Sequence, residues 1–290
     1  MKPVNLSYEE FPEDLTTREN IKELAYQRYD KIRLKEVIYD AKHNLKLLLI
    51  NQNQKLPFIL YVQGSAWRKQ NLTDNLFELY EFAKRGFQIG IVQYRDTSIA
   101  PFPAQVIDSK KALKYAFEHA EELNIDSNNV FLWGDSSGGH TVLMMWATYN
   151  KQYQDFKLPP INGVIDFYGP TNITTMSDYP STYDHVAANS PEGMLLGGLN
   201  VLEHPQLAKT TAIKSYLDQN SKLVPLIIFH GTKDRLVPFH QSIELFDYLN
   251  ECQLDCTFYK LNQGDHGGET FWHLQTLDQV YQFINQNLKR

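Results

Sequence analysis

What the chain lacks narrows its character before any motif is read. It has two cysteines in 290 residues, Cys252 and Cys256, and neither has histidine or further cysteine near it at metal-ligand spacing. A disulfide framework or a structural zinc site is therefore not expected, and both residues read as ordinary buried or half-buried thiols. No segment approaches the ~18 consecutive apolar residues of a membrane span, and Met1 to Leu6 opens without the apolar core of a secretory signal. The expectation is a cytoplasmic protein. Like charges do not cluster either: 28 basic and 34 acidic residues are mixed along the sequence, giving a net charge of -6 without a nucleic-acid or membrane patch. Internal repeats and low-complexity tracts are also missing.

What remains is a chain with 42% hydrophobic and 13% aromatic residues, enough for one large core. Short apolar, β-rich runs alternate with helix-like segments, which predicts an α/β sheet that is mostly parallel after an antiparallel start. Eight strands are expected: Ile32 to Tyr39, Leu45 to Ile50, Phe58 to Gln63, Gln88 to Tyr94, Val130 to Trp133, Gly163 to Tyr168, Leu226 to His230 and Cys256 to Lys260. The first two have no helix between them and should form a hairpin. Helices are expected from Asp74 to Lys84, from Pro103 onward, from His140 to Tyr149, from Phe239 to Asn250 and from Trp272 to Leu288. From Gly169 to Ser215 the periodicity lapses, with four prolines (Pro170, Pro180, Pro191, Pro205) and a Gly197-Gly198 pair, before the pattern resumes at Leu223. The expected organisation is a single domain over 1–290 in which 169–215 is an insertion, a lid or pocket wall after the sixth strand.

Gly134-Asp135-Ser136-Ser137-Gly138 lies between a predicted strand and a predicted helix. G-x-S-x-G in that setting is the nucleophile elbow, whose flanking glycines allow a strained, tightly packed turn. A Gly/Ser-rich loop would show the same five residues, so the surroundings must decide. Ser136 has glycine at both minus two and plus two, whereas Ser137 has Asp135 at minus two; Ser136 is the candidate nucleophile. The run also resembles the Gly-Asp-Ser-Gly-Gly of trypsin-like proteases. Those proteins, however, place histidine and aspartate before the serine and usually carry several disulfides.

A serine hydroxyl needs a base, and the base needs an acid to orient it. Behind an elbow serine the chain order is Ser, then Asp or Glu, then His. Asp234 lies just beyond an apolar strand, in His230-Gly231-Thr232-Lys233-Asp234, where catalysis sits in open α/β sheets; the alternative is a turn cap before the next helix, and Asp166 is the reserve acid. His266 follows the last strand in Gly264-Asp265-His266-Gly267-Gly268, its glycines allowing close backbone approach. Among nine histidines it alone sits after the acid on a sheet-edge loop. His140 and His273 fall in predicted helices, and His230 lies in or at the end of a strand before the acid. Backbone N–H groups for an oxyanion are expected from Ser137 and from the loop Gly64-Ser65-Ala66-Trp67.

Together, Gln63-Gly64-Ser65-Ala66-Trp67, Gln93-Tyr94-Arg95, Pro101-Phe102-Pro103-Ala104-Gln105, the elbow through His140, His230 to Asp234 and His266-Gly267 resemble the α/β-hydrolase superfamily. Within it they are similar to bacterial carboxylesterases grouped with acetyl esterases, acetylxylan esterases and feruloyl-esterase-like proteins. The resemblance runs from about Ile32 to the C-terminus. It implies a catalytic triad of Ser136, Asp234 and His266, oxyanion donors at Ser65, Ala66 and Ser137, no cofactor or metal, and a small ester as substrate. Relatives often show His-Gly-Gly-Gly-Trp where this chain has Gln-Gly-Ser-Ala-Trp, so which of Ser65 and Ala66 donates stays open, and Ser65 offers an added hydroxyl. Trp67 and Tyr168, with Tyr179 and Tyr183, are candidate pocket residues for short or aromatic acyl groups; packing within the insertion is the alternative use of these tyrosines. Two rivals are a prolyl-oligopeptidase-type peptidase, which usually carries a large N-terminal domain, and a binding protein that kept the fold without the chemistry. Self-association into a homo-oligomer is left open.

Overall fold

The computed structural model describes residues 7, 10, 12 and 32–289. Met1 to Leu6, read above for a secretory signal, lies outside the described residues.

Among the described residues, eight strands form one sheet. In chain order they are β1 (Ile32–Ile38), β2 (Asn44–Ile50), β3 (Leu56–Val62), β4 (Gln88–Val92), β5 (Ile125–Asp135), β6 (Gly163–Phe167), β7 (Leu226–Gly231) and β8 (Cys256–Leu261). Their spatial order is β1-β2-β4-β3-β5-β6-β7-β8. The first two pairings, β1 with β2 and β2 with β4, are antiparallel, and the remaining five are parallel. The expected hairpin and mostly parallel sheet are both present. β5 is longer than its apolar run: Ile125 and Asp126 pair with Leu56 and Pro57 ahead of a register shift, and the apolar stretch then pairs in step with β3.

The central strands are apolar on both faces because both faces are covered by helices. On β3, Phe58, Leu60 and Val62 enter one core while Ile59 and Tyr61 enter the other. On β5, Val130 and Leu132 alternate in the same way with Phe131 and Trp133. The first core packs against α2 (Ala104–Glu118), α3 (Ser137–Ala147) and α6 (His240–Glu251). The second packs against α1 (Leu76–Ala83), α7 (Glu269–Trp272) and α8 (Leu274–Gln286). Leu277, Val280 and Ile284 recur at helical spacing on α8 and are all buried there.

The helix expected from Trp272 to Leu288 is broken. His273 takes extended backbone angles and caps α8, its Nδ1 accepting from the Gln275 N–H, so the residues before it form the separate turn α7. Trp272 lies close to Tyr61, Trp133 and Phe167 there. Residues 169–215 hold two short helices, α4 (Pro191–Leu195) and α5 (Pro205–Lys209), and two 3-10 turns, Met176–Asp178 and Ile213–Tyr216. Ser190 caps α4 by accepting from the Gly193 N–H, with Pro191 at its first position. Ile173, Met176, Leu195, Leu196, Val201 and Ala208 form a separate apolar cluster that closes on Trp67 and Val237. These residues are thus packed onto the loops that follow β3 and β7.

The chain leaves β3 for β4 on one side, then crosses back to β5 on the other. In open α/β sheets such a reversal opens a crevice beyond the carboxyl ends of the strands. The loops carrying residues 63–67, 136, 168, 234 and 266 follow β3, β5, β6, β7 and β8 and emerge on that edge.

Candidate active site

Ser136 sits between β5 and α3 with φ 51° and ψ -125°, backbone angles that cost a non-glycine residue of order 1–3 kcal/mol. The turn holds because its neighbours are close. A Cβ on Gly138 would lie 1.9 Å from the Val62 carbonyl oxygen, so only glycine fits against β3. The Ser136 N–H donates to the Phe167 carbonyl at 2.8 Å, tying the turn to β6.

The His266 Nε2 lies 2.9 Å from Ser136 Oγ, and its Nδ1 lies 2.8 Å from Asp234 Oδ2. With the carboxylate accepting from Nδ1–H, the Nε2 lone pair faces the serine hydroxyl, which donates to it. The structure therefore brings all three sequence-predicted residues into one hydrogen-bonded chain. Tyr168 packs its ring edge-on against the His266 imidazole, with centroids 4.6 Å apart. The acid and base loops are joined directly: Arg235 pairs with Asp265, and the Lys233 N–H donates to the Gly264 carbonyl at 2.9 Å. Of the glycines beside His266, Gly264 makes the close approach, to Gly231. Gly267 and Gly268 serve instead by accepting φ of 78° and 81°.

Asp234 is buried, and burial by itself would raise its pKa. Four donors reverse that. Oδ1 accepts from the Leu236 and Val237 N–H groups at 2.9 and 2.8 Å, and Oδ2 accepts from His266 and, at 3.2 Å, from His230 Nε2. The two imidazoles hold the carboxyl well below the usual carboxylate range. Asp166, the reserve acid, makes no contact with His266. Its Oδ1 accepts from the Gly169 N–H, its Oδ2 has no partner among the described residues, and burial pushes it up to about 8. Asp135, inside the elbow, is also pushed up by burial, although it accepts from Tyr61 Oη at 2.5 Å and from the Gly64 N–H at 2.9 Å.

The loop after β3 departs from expectation at Ser65. Its N–H donates to Ser137 Oγ at 2.8 Å and its hydroxyl donates to the Arg68 carbonyl at 2.6 Å, so both of its donors are engaged. The Ala66 and Ser137 N–H groups have no hydrogen-bond partner among the described residues. Ala66 and Trp67 have φ of 54° and 53°. Trp67 is held by a residue assigned above only to a helix: its indole N–H donates to His140 Nδ1 at 3.2 Å, and His140 Nε2–H donates to the Thr211 carbonyl at 2.9 Å. Burial lowers the His140 pKa to about 4, so the imidazole stays neutral between its two partners.

These groups open on a cavity of about 480 Å³ whose wall includes Ser136, His266, Trp67, Tyr168, Tyr183 and Glu192. Trp67 and Tyr168 lie where the sequence placed them, although both are nearly enclosed. Tyr179 is not on this wall; its ring stacks on His240 at 3.9 Å. Among the described residues, ten non-glycine residues have positive φ, and five of them (Ala66, Trp67, Asn75, Ser136 and Tyr168) line this cavity.

Sequence reasoning missed His230 and His140 as partners of site residues. The four-residue spacing of His230 and Asp234 across a turn was a signal for the first. Nothing in the sequence pattern points to the second, whose partners come from residues 67 and 211.

Among curated proteins the chain resembles the "Probable carboxylic ester hydrolase LipM" of Mycobacterium tuberculosis (strain ATCC 25618 / H37Rv). The two are 25% identical over 210 residues, which cover 67% of this chain and 45% of that protein. An esterase of Gibberella moniliformis is 29% identical over 195 residues, covering 64% of this chain and 59% of that one. The chain spans about half the length of the curated relatives it matches. Among solved structures, a truncated carbohydrate esterase from gut microbiota superposes with a TM-score of 0.77 at 25% identity, covering 87% of this chain and 94% of that one. A thermophilic esterase of Thermogutta terrifontis has the same fold, with a TM-score of 0.68 at 21% identity over 89% of this chain and 95% of its own. The BD-FAE family matches residues 47–249, more than half of the sequence. With that match and the α/β-hydrolase fold of its structural neighbours, the chain belongs to the BD-FAE family.

Proposed function

We propose that this protein is a serine esterase that hydrolyses small carboxylic esters through an acyl-enzyme on Ser136. The observation that carries the reading is the hydrogen-bonded chain Asp234–His266–Ser136, opening on a cavity beside two backbone N–H groups that have no partner among the described residues. The ester hydrolase and esterase names of its relatives agree with it.

Ser136 Oγ attacks the ester carbonyl carbon as its proton passes to His266 Nε2, and the carbonyl electrons move onto oxygen. The Ala66 and Ser137 N–H groups stabilise that oxyanion, because the left-handed turn at 66–67 and the start of α3 leave both donors free. Asp234 holds the imidazole in the required tautomer and stabilises the imidazolium. Collapse of the adduct breaks the ester C–O bond, and the departing alkoxide takes the proton from His266. Water then repeats the sequence on the acyl-enzyme, delivering its proton to His266 and returning it to Ser136. The steps invoke no metal or cofactor. Trp67 and Tyr168 close the cavity beside Ser136, which favours short acyl groups. Residues 169–215 act as the pocket wall.

The test uses p-nitrophenyl esters from acetate to octanoate, with a peptide anilide beside them. Turnover should be greatest for the short acyl esters, the anilide should be refused, and Ser136→Ala should lose at least about 1000-fold in kcat with its circular dichroism unchanged. A folded Ser136→Ala protein that keeps wild-type turnover would end the proposal.

A further inference from the structure

Asp234 Oδ2, the oxygen that accepts from His266, also carries a second imidazole, which the reaction above does not use. His230 lies at the end of β7, is fully buried, and reaches back across the turn to the acid four residues on. Its Nε2 is 3.2 Å from Asp234 Oδ2 and 3.1 Å from the Val237 carbonyl oxygen. A carbonyl oxygen only accepts, so Nε2 carries the proton and shares it between the two oxygens. On the other side of the ring, Nδ1 is 2.7 Å from Ser242 Oγ, in the first turn of α6 and equally buried. With the proton on Nε2, Nδ1 is left to accept from the Ser242 hydroxyl. The connected order is Ser242, His230, Asp234, His266, Ser136: one carboxylate with a histidine–serine couple on each side.

The two couples differ in exposure. His266 and Ser136 open on the cavity, whereas His230 and Ser242 are sealed between β7 and α6. A sealed couple has no reacting atom to reach, but it does have a geometric task. The two backbone donors on Oδ1 come from the turn at 236–237 and leave Oδ2 to be oriented by side chains. Were His266 the sole donor there, the carboxylate would follow the imidazole as it moves between Ser136 and the leaving group. A second donor anchored to α6 gives Oδ2 a fixed place, and through it the direction of His266 Nδ1–H.

We infer that His230, held by Ser242, is a positioning residue that fixes Asp234 Oδ2 and thereby aligns His266. The inference rests on the esterase reading above, and its test separates the two. His230→Leu removes the donor at similar bulk, and His230→Gln restores an amide N–H at the reach of Nε2. Ser242→Ala removes the outer partner and leaves the rest intact.

With p-nitrophenyl acetate, His230→Leu is expected to lower kcat by about tenfold to hundredfold, the rate equivalent of one hydrogen bond to a charged group, with KM within about twofold. His230→Gln recovers most of that loss. The low-field proton resonance of His266 Nδ1–H shifts in the leucine variant and returns in the glutamine variant. Ser242→Ala gives a smaller fall in kcat, of the order of a few-fold, and decides the matter if His230→Leu does not fold. Wild-type kcat in His230→Leu or in Ser242→Ala overturns the inference, as do equal losses in the leucine and glutamine variants that track their melting temperatures. In each case Ser136→Ala reports on the esterase reading independently.

Discussion

The carboxyl ends of β6 and β7 lie side by side, and each carries a buried aspartate, yet the two groups are in opposite states. Asp234, after β7, receives four hydrogen bonds and is held ionised despite its burial. Asp166, at the end of β6, receives one, leaves Oδ2 without a partner among the described residues, and is pushed up to about 8. Burial is common to both, so the number and kind of donors decides which carboxyl carries charge. This also separates the acid from its reserve: adjacent strands offered two aspartates, and only one is surrounded by groups that make it anionic and aim it at His266.

The comparison can be broken most directly at Asp234. Asp234→Asn is expected to cost about three to four orders of magnitude in kcat while KM changes little, because the amide favours the wrong imidazole tautomer. Steady-state kinetics on p-nitrophenyl acetate check this, and a loss below tenfold would mean that the charge is not required.

At Asp166 the expected effect is on stability, and its sign is opposite. The folded carboxyl keeps its proton up to about pH 8, whereas the unfolded one loses it near its ordinary value of 3.8. Between those values the folded state binds more protons, so wild-type stability falls as pH rises through the window. Asp166→Asn removes that cost. It should stabilise the protein by on the order of a few kcal/mol at pH 7 and by almost nothing below pH 4, with kcat nearly unchanged. Asp234 runs the other way: its folded pKa is depressed, so its contribution is present above pH 4 and is lost as pH falls toward its folded value. Urea melts of the asparagine variant at pH 4, 6 and 8 read the difference, and a gain independent of pH would show that Asp166 is already charged.

A neutral group extends the same donor logic. Trp67→Phe leaves His140 Nδ1 buried without its donor, which should cost about 1–3 kcal/mol in a denaturant melt and loosen the loop at Ala66 enough to lower kcat several-fold. Unchanged stability and rate would show that the indole N–H does not hold the loop. Smallest of all is the exposed pair on the neighbouring loops. Arg235 lowers Asp265 to about 2, but water and salt screen the pair, so Arg235→Ala should leave the melting temperature unchanged at moderate salt.

The features legible in the sequence were those with a period or a punctuation mark. Apolar strands between helical repeats disclosed all eight strands, and glycines at minus two and plus two picked Ser136 over Ser137. What escaped detection depended on contacts between distant residues. The start of β5, Ile125 to Asn129, lies ahead of the expected strand at Val130 to Trp133, and its first two residues pair with Leu56 and Pro57 of β3. The helix periodicity from Trp272 onward gives no sign of the break at His273. Ser65 looked like an oxyanion donor because its position in the motif says so, but the Ser137 hydroxyl engages its N–H. His230 and His140 were passed over because a histidine within a regular element looks the same whether it faces solvent, core or a partner; only folding reveals what lies within 3 Å of each ring.

The left-handed residues around the cavity imply a conflict between durability and turnover. Glycine at 136 would release the tension stored in the elbow while deleting the hydroxyl, so the inert protein should survive heating better than the working one. A screen that rewards thermal endurance alone would be expected to drift toward this edge of the sheet and silence it.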